Sequence, residues 1–367
     1  MPAKTTPNVR LKRRYLDYLK EAEGKDEKSL DKVAADLSQL EAAIGQKDVK
    51  RFHREWGRKL KSHLEKARNK RTGKPLSPST IDATLSNVKA FIKWLAGQPG
   101  YKSRVSYSDA AYFNNSKKGA RIAHTSRPAP YPSMEQALHT FTAMSEGDRF
   151  QMRDKALFAL LMLTGVRVGA AATLQLRHVN LEAGHILQDA REVATKNGKT
   201  IDTWFFPVDA TYREFFDRWI NHLREVELFG DCDPLLPKAA IGLVDGQFVA
   251  TGFAREGYSG TAKLKEIIGD SFSAAHLPRF TPHAFRKTLA LFGDVVCSTL
   301  EERKAWSMNL GHEHLTTMAN NYMPVSRERQ GELIRKLSGV GKNKSSQVSC
   351  SLSLLHGGFR PLADIRP

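Results

Sequence analysis

The sequence is poor in cysteine and has no long hydrophobic stretch. Its 367 residues include three cysteines, Cys232, Cys297 and Cys350, an odd number at wide spacing. Such a set suits neither a disulfide framework nor a cysteine-rich zinc site. The longest apolar run covers residues 156–163, far short of the about 20 residues that a membrane-spanning helix needs, and no apolar signal segment opens the chain. We therefore expect a reduced, cytoplasmic protein without a membrane-spanning segment.

Acidic residues are scarce in the first third of the chain. Residues 1–130 hold 29 lysines and arginines against 13 acids, a net charge of +16, whereas residues 131–367 have a net charge of +2. Such a density of one sign repels itself unless a polyanion lies nearby, and a merely solubilising surface would mix both signs. The distribution predicts that this part of the chain binds nucleic acid, with an affinity that falls as the salt concentration rises.

Apolar residues in this basic part recur at helical spacing. Three stripes with intervals of three and four cover residues 33–44, 49–64 and 81–95, as in amphipathic helices. Ser79 is the expected N-cap of the third helix, and residues 11–19 can add a fourth. The pattern predicts a helical-bundle DNA-binding domain over residues 1–115. Residues 116–132 follow Asn114 and Asn115, contain Gly119, Pro128, Pro130 and Pro132, and are predicted to form an extended linker.

Beyond residue 133 the pattern predicts an α-rich domain with a small antiparallel sheet, so that the chain as a whole is mainly α. Residues 134–163 are expected to be helical, and the apolar run within them is expected to be buried. Asn197 and Gly198 predict a tight hairpin with a second strand at residues 201–206. Residues 230–260 are predicted to be irregular. We place this second domain at residues 133–339 and a C-terminal tail at residues 340–367.

Two short motifs place cations where they can bind a phosphate. Thr281 and Pro282 open a predicted helix as its N-cap and first residue. His283 and Arg286 lie about 60° apart on one side of that helix and are expected to project outward. A helix N-terminus attracts anions, and a guanidinium adds a bidentate clamp. Arg167 directly follows the apolar run, so it either meets a partner or ligand there or extends from a helix end into solvent.

Three further residues complete the set of candidates. Lys196 lies beside the predicted hairpin tip, from which a long cation can reach into a groove and donate a proton. Lys199 on the other arm is an alternative to it. His312 occupies a turn after a predicted helix, and Tyr322 lies ten residues further on, at a position that also suits a core aromatic side chain. The histidines lack the carboxylate- or cysteine-rich spacing of a metal site, so we expect none.

Taken in order, these motifs resemble those of the tyrosine recombinases, the phage-type site-specific integrases. The resemblance covers about residues 9–337 and rests on an arginine in Thr-Gly-Val-Arg, a lysine on a hairpin, His-x-x-Arg, Leu-Gly-His and a later tyrosine. It implies a core-binding domain followed by a catalytic domain. Members of this family often carry an acid three positions after the first arginine. This chain has Ala170 there, so Asp154 or another acid would have to replace it.

The resemblance also implies a role for each candidate residue in a reaction that needs neither a metal nor a cofactor. Arg167 and Arg286 would hold the non-bridging oxygens of the scissile phosphate. His283 or His312 would help to remove a proton from the nucleophile, Tyr322. Lys196 would protonate the departing 5′ oxygen. The product would be a reversible 3′-phosphotyrosyl link.

The function predicted from the sequence is therefore that of a site-specific DNA recombinase. A type IB topoisomerase-like enzyme and a catalytically lapsed DNA-binding protein are the alternatives. The implied partners are duplex DNA and further copies of the chain in a tetramer on DNA, with accessory DNA-bending factors left open, in a bacterial cytoplasm at the nucleoid. The tail carries the apolar residues Leu352, Leu354, Leu355 and Phe359, and it either enters a neighbouring copy or is a disordered terminus.

Overall fold

The computed structural model describes residues 7–70, 72–125 and 129–312. The chain divides into two compact units, Met1–Arg127 and Pro128–Pro367, and each has its own apolar core. Tyr322 and the predicted tail at residues 340–367 lie outside the described residues. In the part that is described, no helix is both long enough and apolar enough to cross a membrane.

The first unit is a bundle of α-helices, as the apolar stripes predict. Leu37, Leu60 and Val88, one from each stripe, are buried in a shared core. The third predicted helix begins at Ser77, whose side chain accepts a hydrogen bond from the backbone N–H of Thr80, rather than at Ser79. The helices of the first unit are α1 (Pro7–Glu21), α2 (Glu27–Ala43), α3 (Glu55–Lys66), α4 (Pro78–Ala96) and α5 (Lys117–His124). It also has 3₁₀ turns at Val49–Arg51 and Tyr107–Phe113.

Part of the segment predicted as an extended linker is helical. Helix α5 lies within residues 116–132 and packs against α4. The Asn115 side-chain amide donates to the Asp82 carboxylate at 2.9 Å, and His124 Nε2 lies 3.5 Å from the same carboxylate. Because both ends of α5 meet this one side chain of α4, the first unit continues past residue 115. The other domain limits stay predictions.

The second unit is also mostly helical. The apolar run is buried as predicted, because every residue of α7 from Lys155 to Thr164 is shielded from solvent. The stretch expected to be helical at residues 134–163 forms two helices, and Asp148 caps the second one by accepting hydrogen bonds from two backbone N–H groups. The helices are α6 (Met134–Ala143), α7 (Arg149–Thr164), α8 (Val168–Ala171), α9 (Ala210–Asn221), α10 (Ala262–Ala274), α11 (Pro282–Val296) and α12 (Leu300–Asn309), and a π-helical turn, His222–Val226, extends α9.

Two small antiparallel sheets accompany these helices and confirm the predicted fold class. β1 (Val179–Asn180), β2 (His185–Gln188) and β3 (Ile201–Trp204) form one sheet in that order. β4 (Ala239–Val244) and β5 (Gln247–Phe253) form a hairpin. The prediction of irregular structure at residues 230–260 is wrong here. Asp245 and Gly246 both have positive φ in the two-residue turn, the conformation that an Asp-Gly pair favours.

The connection between β2 and β3 is wider than the tight hairpin predicted from Asn197 and Gly198. The strands separate after residue 188, and the β2–β3 loop, residues 189–200, joins them. Lys196–Gly198 forms a 3₁₀ turn inside this loop. The backbone N–H of Ala190 donates to Thr200 Oγ1 at 3.2 Å, and that of Ala194 donates to Thr173 Oγ1 at 2.8 Å. The Asn-Gly pair therefore lies within a long loop that side chains hold in place.

Candidate active site

Three chain segments that are distant in sequence converge on one guanidinium. Helix α7 ends at Thr164 and is capped by Gly165, which has a φ of +58°. The Arg286 side chain, only 2% exposed, donates one hydrogen bond to the Gly165 carbonyl and one to the Leu310 carbonyl, both at 2.5 Å. A Cβ on Gly165 would lie 2.6 Å from Leu310 Cδ2. A glycine is therefore needed here both for the backbone conformation and for the close approach of Leu310.

Arg286 points into the protein, which corrects the expectation that it projects outward. Thr281 and Pro282 do occupy the N-cap and the first position of α11, and His283 is exposed, as predicted. The Gly165 and Leu310 carbonyls, however, lie just beyond the ends of α7 and α12, where helix carbonyls need donors from elsewhere. The guanidinium supplies those donors, and this ties its position to both helix ends.

His312 lies directly against this guanidinium. It follows α12 after Gly311, which has a φ of +69°. Its Nε2 atom is 3.0 Å from Arg286 Nη2. Because a guanidinium can only donate, Nε2 accepts, and the neutral ring carries its proton on Nδ1. Burial, followed by the positive charges of Arg286 and Arg167, lowers the pKa of His312 to about 4.

Arg167 reaches the same turn from the other side. It is the N-cap residue of the short helix α8, and a Cβ on Gly311 would lie 3.4 Å from its Nη1 atom. Asp154, considered from the sequence as its acidic partner, instead accepts hydrogen bonds from Arg153 at 2.7 and 2.9 Å. Asp154 also lies ten residues before the end of α7, which is about 15 Å along the helix axis.

Lys196 and the two histidines share one electrostatic environment. Partial desolvation and then the positive charges of Arg286, Arg167 and Lys196 lower the pKa of His283. The charge of Lys196 also contributes to the lowered pKa of His312. Lys199, the alternative to Lys196, lines a cavity of about 670 Å³ between β3 and α12 that extends to His312. The fold thus brings together all the candidates that lie in the described residues: Arg167, Lys196, His283, Arg286 and His312.

Comparison with known proteins identifies the family of the chain. The family model described as the phage integrase family matches residues 133–329, more than half of the chain. The chain belongs to the phage integrase family. The resemblance found in the sequence motifs is therefore confirmed.

Individual proteins similar to this phage integrase family member show how far the similarity extends in sequence and in fold. Tyrosine recombinase XerC of Serratia marcescens is 25% identical over 141 residues, which are 38% of this chain and 42% of that protein. The match therefore spans less than half the length of that curated relative. A lambda integrase dimer bound to a COC′ core site aligns with a TM-score of 0.58 at 13% identity, over 86% of this chain and 94% of that one. The Tn1549 transposon integrase, in complex with transposon right end DNA, aligns with a TM-score of 0.56 at 16% identity, over 89% and 99%. The two structures show that the fold is shared.

The site of this integrase-family chain combines three cations with two imidazoles whose pKa values are lowered. Arginine and lysine side chains neutralise phosphate oxygens, and a neutral imidazole can accept a proton from a hydroxyl group. Among the residues that the structure describes, no group of three or more His, Cys, Asp or Glu side chains could hold a metal ion. The arrangement is chemically suited to binding a phosphodiester while a proton is moved beside it.

Sequence reasoning missed the residues that hold α12 against the rest of this site. Trp306 Nε1 donates to the Leu289 carbonyl at 3.0 Å, and the indole packs at a tilt of 38° against Phe206, with ring centroids 4.5 Å apart. A Cβ on Gly293 would lie 2.5 Å from the same indole nitrogen. A glycine inside an apolar helix was the available signal for such a close approach. These contacts fix the position of α12, and therefore the positions of Leu310 and His312 beside Arg286.

Proposed function

We propose that this chain is a site-specific DNA recombinase that cuts and rejoins DNA through a 3′-phosphotyrosyl intermediate. The observation that carries the proposal is the convergence, in a phage integrase fold, of five chemically suited side chains from separate parts of the second unit. Tyr322, the proposed nucleophile, lies within the residues that the family model matches. The set consists of Arg167, Lys196, His283, Arg286 and His312.

The two arginines are proposed to hold the non-bridging oxygens of the scissile phosphate. Charge builds up on those oxygens in the transition state, and a donor that is already in place stabilises it without reorganisation. Arg286 is preorganised because the Gly165 and Leu310 carbonyls fix two of its donor groups. Removing one contact of this kind costs about 3 to 4 kcal/mol of transition-state stabilisation.

The remaining groups are proposed to move protons. His283 or His312 takes the proton of the Tyr322 hydroxyl as its oxygen attacks phosphorus, and the lowered pKa of each ring favours the neutral form. For His312 this step requires Nε2 to give up the hydrogen bond that it accepts from Arg286. Lys196 gives a proton to the 5′ oxygen as its bond to phosphorus breaks. The 3′-phosphotyrosyl ester keeps the bond energy, so a 5′ hydroxyl from another strand can reverse the step.

A suicide DNA substrate tests this proposal. The substrate is a duplex from the DNA that flanks the gene, nicked so that the cleaved 5′ end diffuses away. We expect a covalent adduct with the wild-type chain and none with Tyr322→Phe, which binds the same DNA. An adduct that survives in Tyr322→Phe removes that tyrosine from the role. No adduct with any flanking duplex supports a lapsed DNA-binding protein, and relaxation of plasmid DNA without strand exchange supports a topoisomerase.

We also infer that several copies act together on DNA. A lambda integrase structure contains a tetramer bound to a Holliday junction, and strand exchange between two duplexes requires four cleavage sites. We propose an assembly of four copies on DNA, with accessory DNA-bending factors, in the bacterial cytoplasm at the nucleoid.

Truncation after Gly339 tests whether the tail contributes to this assembly: half-site binding should persist while strand exchange is lost. Unimpaired exchange would place the assembly contacts elsewhere.

The first unit is proposed to supply most of the electrostatic affinity for DNA. A fragment of residues 1–127, which keeps α5 on α4, should bind duplex DNA with an affinity that falls steeply with salt, because its excess of basic residues displaces counterions. Binding that is insensitive to salt would contradict this role.

A further inference from the structure

We propose that Asn309 is a positioning residue that holds the β2–β3 loop against the His312 turn, and thereby places the Lys196 amine that protonates the leaving oxygen. The inference rests on the proposed function. It concerns a residue that none of the sequence motifs includes. Asn309 is the last residue of α12, immediately before Leu310 and Gly311.

The Asn309 side chain makes two hydrogen bonds to one backbone residue of β3. The N–H of Trp204 donates to Asn309 Oδ1 at 2.7 Å, and Asn309 Nδ2 donates to the Trp204 carbonyl at 2.8 Å. β3 is the last strand in the order of its sheet as far as the structure describes it, with β2 on its other side. A carboxamide has the donor and acceptor of a peptide group. Asn309 therefore takes the place of a further strand at this edge.

This contact joins two parts of the site that are otherwise far apart in sequence. On one side, Leu310 follows Asn309, and its carbonyl accepts from Arg286, which in turn contacts His312. On the other side, β3 begins directly after the β2–β3 loop. A Cβ on Gly311 would lie 2.9 Å from Ile201 Cδ1, so the start of β3 lies against the same turn. A shift of β3 along α12 would move the loop relative to His312.

The hydrogen bond from Ala190 to Thr200 Oγ1 joins the two limbs of the loop at its base, and each limb has a further anchor of its own. The first limb is fixed by the hydrogen bond from Ala194 to Thr173 Oγ1 and by the burial of Val193. The second limb continues into β3, where Asn309 makes its two hydrogen bonds. Lys196 lies between these anchors, and its charge acts on both histidines. Removing the Asn309 amide should therefore loosen the limb that determines where the lysine amine lies.

The strand should stay in the fold when this amide is lost. The N–H of Phe206, two residues after Trp204, donates to the Leu163 carbonyl at 2.7 Å, and the Phe206 ring packs against the tilted indole of Trp306. Asn309→Asp keeps the shape and the acceptor. It removes the donor and sets a carboxylate oxygen against the Trp204 carbonyl. The expected change is one of position, without unfolding.

The first measurement is amide hydrogen exchange in the full chain. Met308→Ala is the matched control, because Met308 is the neighbouring residue of the same helix end and is largely exposed. In Asn309→Ala we expect the Trp204 amide to lose protection while the core of α7 keeps it, and in Met308→Ala we expect no change at either place. Unchanged protection of the Trp204 amide in Asn309→Ala would overturn the proposal.

The second measurement separates positioning from general damage. The suicide substrate is compared with one whose 5′-bridging oxygen at the scissile phosphate is replaced by sulfur, because a thiolate leaves without needing a proton. For Asn309→Asp we expect at least about a tenfold slower cleavage of the oxygen substrate and wild-type cleavage of the sulfur substrate, the same pattern as Lys196→Ala. Equal losses on both substrates, or no loss on either, would overturn the positioning role. Absence of an adduct in the wild-type chain on both substrates would instead overturn the proposed function and this inference with it.

Discussion

The pKa of His312 makes the stability of the second unit depend on pH in a way that one substitution can isolate. Burial and the charges of Arg286 and Arg167 lower this pKa from its ordinary value of 6.5 to about 4. Below pH 6.5 the unfolded chain takes up a proton that the folded chain takes up only near pH 4. The stability that neutral His312 contributes is therefore fully present above pH 6.5 and is lost as the pH falls towards 4.

The size of the loss follows from these two values. Between pH 7.5 and pH 5, a shift of this extent removes about 2 kcal/mol from the free energy of unfolding. His312→Gln keeps an acceptor for Arg286 and cannot be protonated, so its stability should fall less over the same interval by about that amount. His139→Gln is the matched control, because His139 is exposed on α6 and distant in sequence from the site.

The assay is urea unfolding of the full chain at several pH values, with the transition of the second unit followed separately. We expect the wild type and His139→Gln to lose stability in parallel, and His312→Gln to lose less. An NMR titration of the His312 ring checks the same pKa directly. Parallel loss in all three chains, or a His312 ring that titrates near pH 6.5, would refute the electrostatic reasoning.

Three further predictions concern the same site. Gly165→Ala should destabilise the second unit in thermal unfolding by more than Gly198→Ala, because both have positive φ but only Gly165 has an atom within 3 Å of the new Cβ; equal effects would show that the approach of Leu310 has no cost. Arg167→Ala and Arg286→Ala should each slow cleavage of the suicide substrate by about 10² to 10³, and near-normal cleavage would remove that arginine from the site. Sulfate should raise the pKa of His312 in an NMR titration, because an anion offsets the surrounding positive charge; an unchanged pKa would mean that no anion binds there.

Local pattern alone determined much of this molecule. Helical spacing identified the bundle, because a helix with one apolar face must bury that face. The uninterrupted apolar run identified the buried part of α7, because a helix that is apolar all round must be buried on every side. The excess of lysine and arginine before residue 131 and the order of the five motifs identified the family. The five motifs are defined by the types of their residues and by their order along the chain, and both can be read directly from the sequence.

Tertiary structure decided how the site is held together. Outward projection was predicted for Arg286 from the helix alone, but the carbonyls that draw it inward belong to Gly165 and Leu310, 121 and 24 residues away. The wide β2–β3 loop and the helical α5 are likewise results of contacts with distant residues. The pairing of Asn309 with Trp204 spans 105 residues. Periodicity describes one element at a time, whereas these positions follow from which elements pack together.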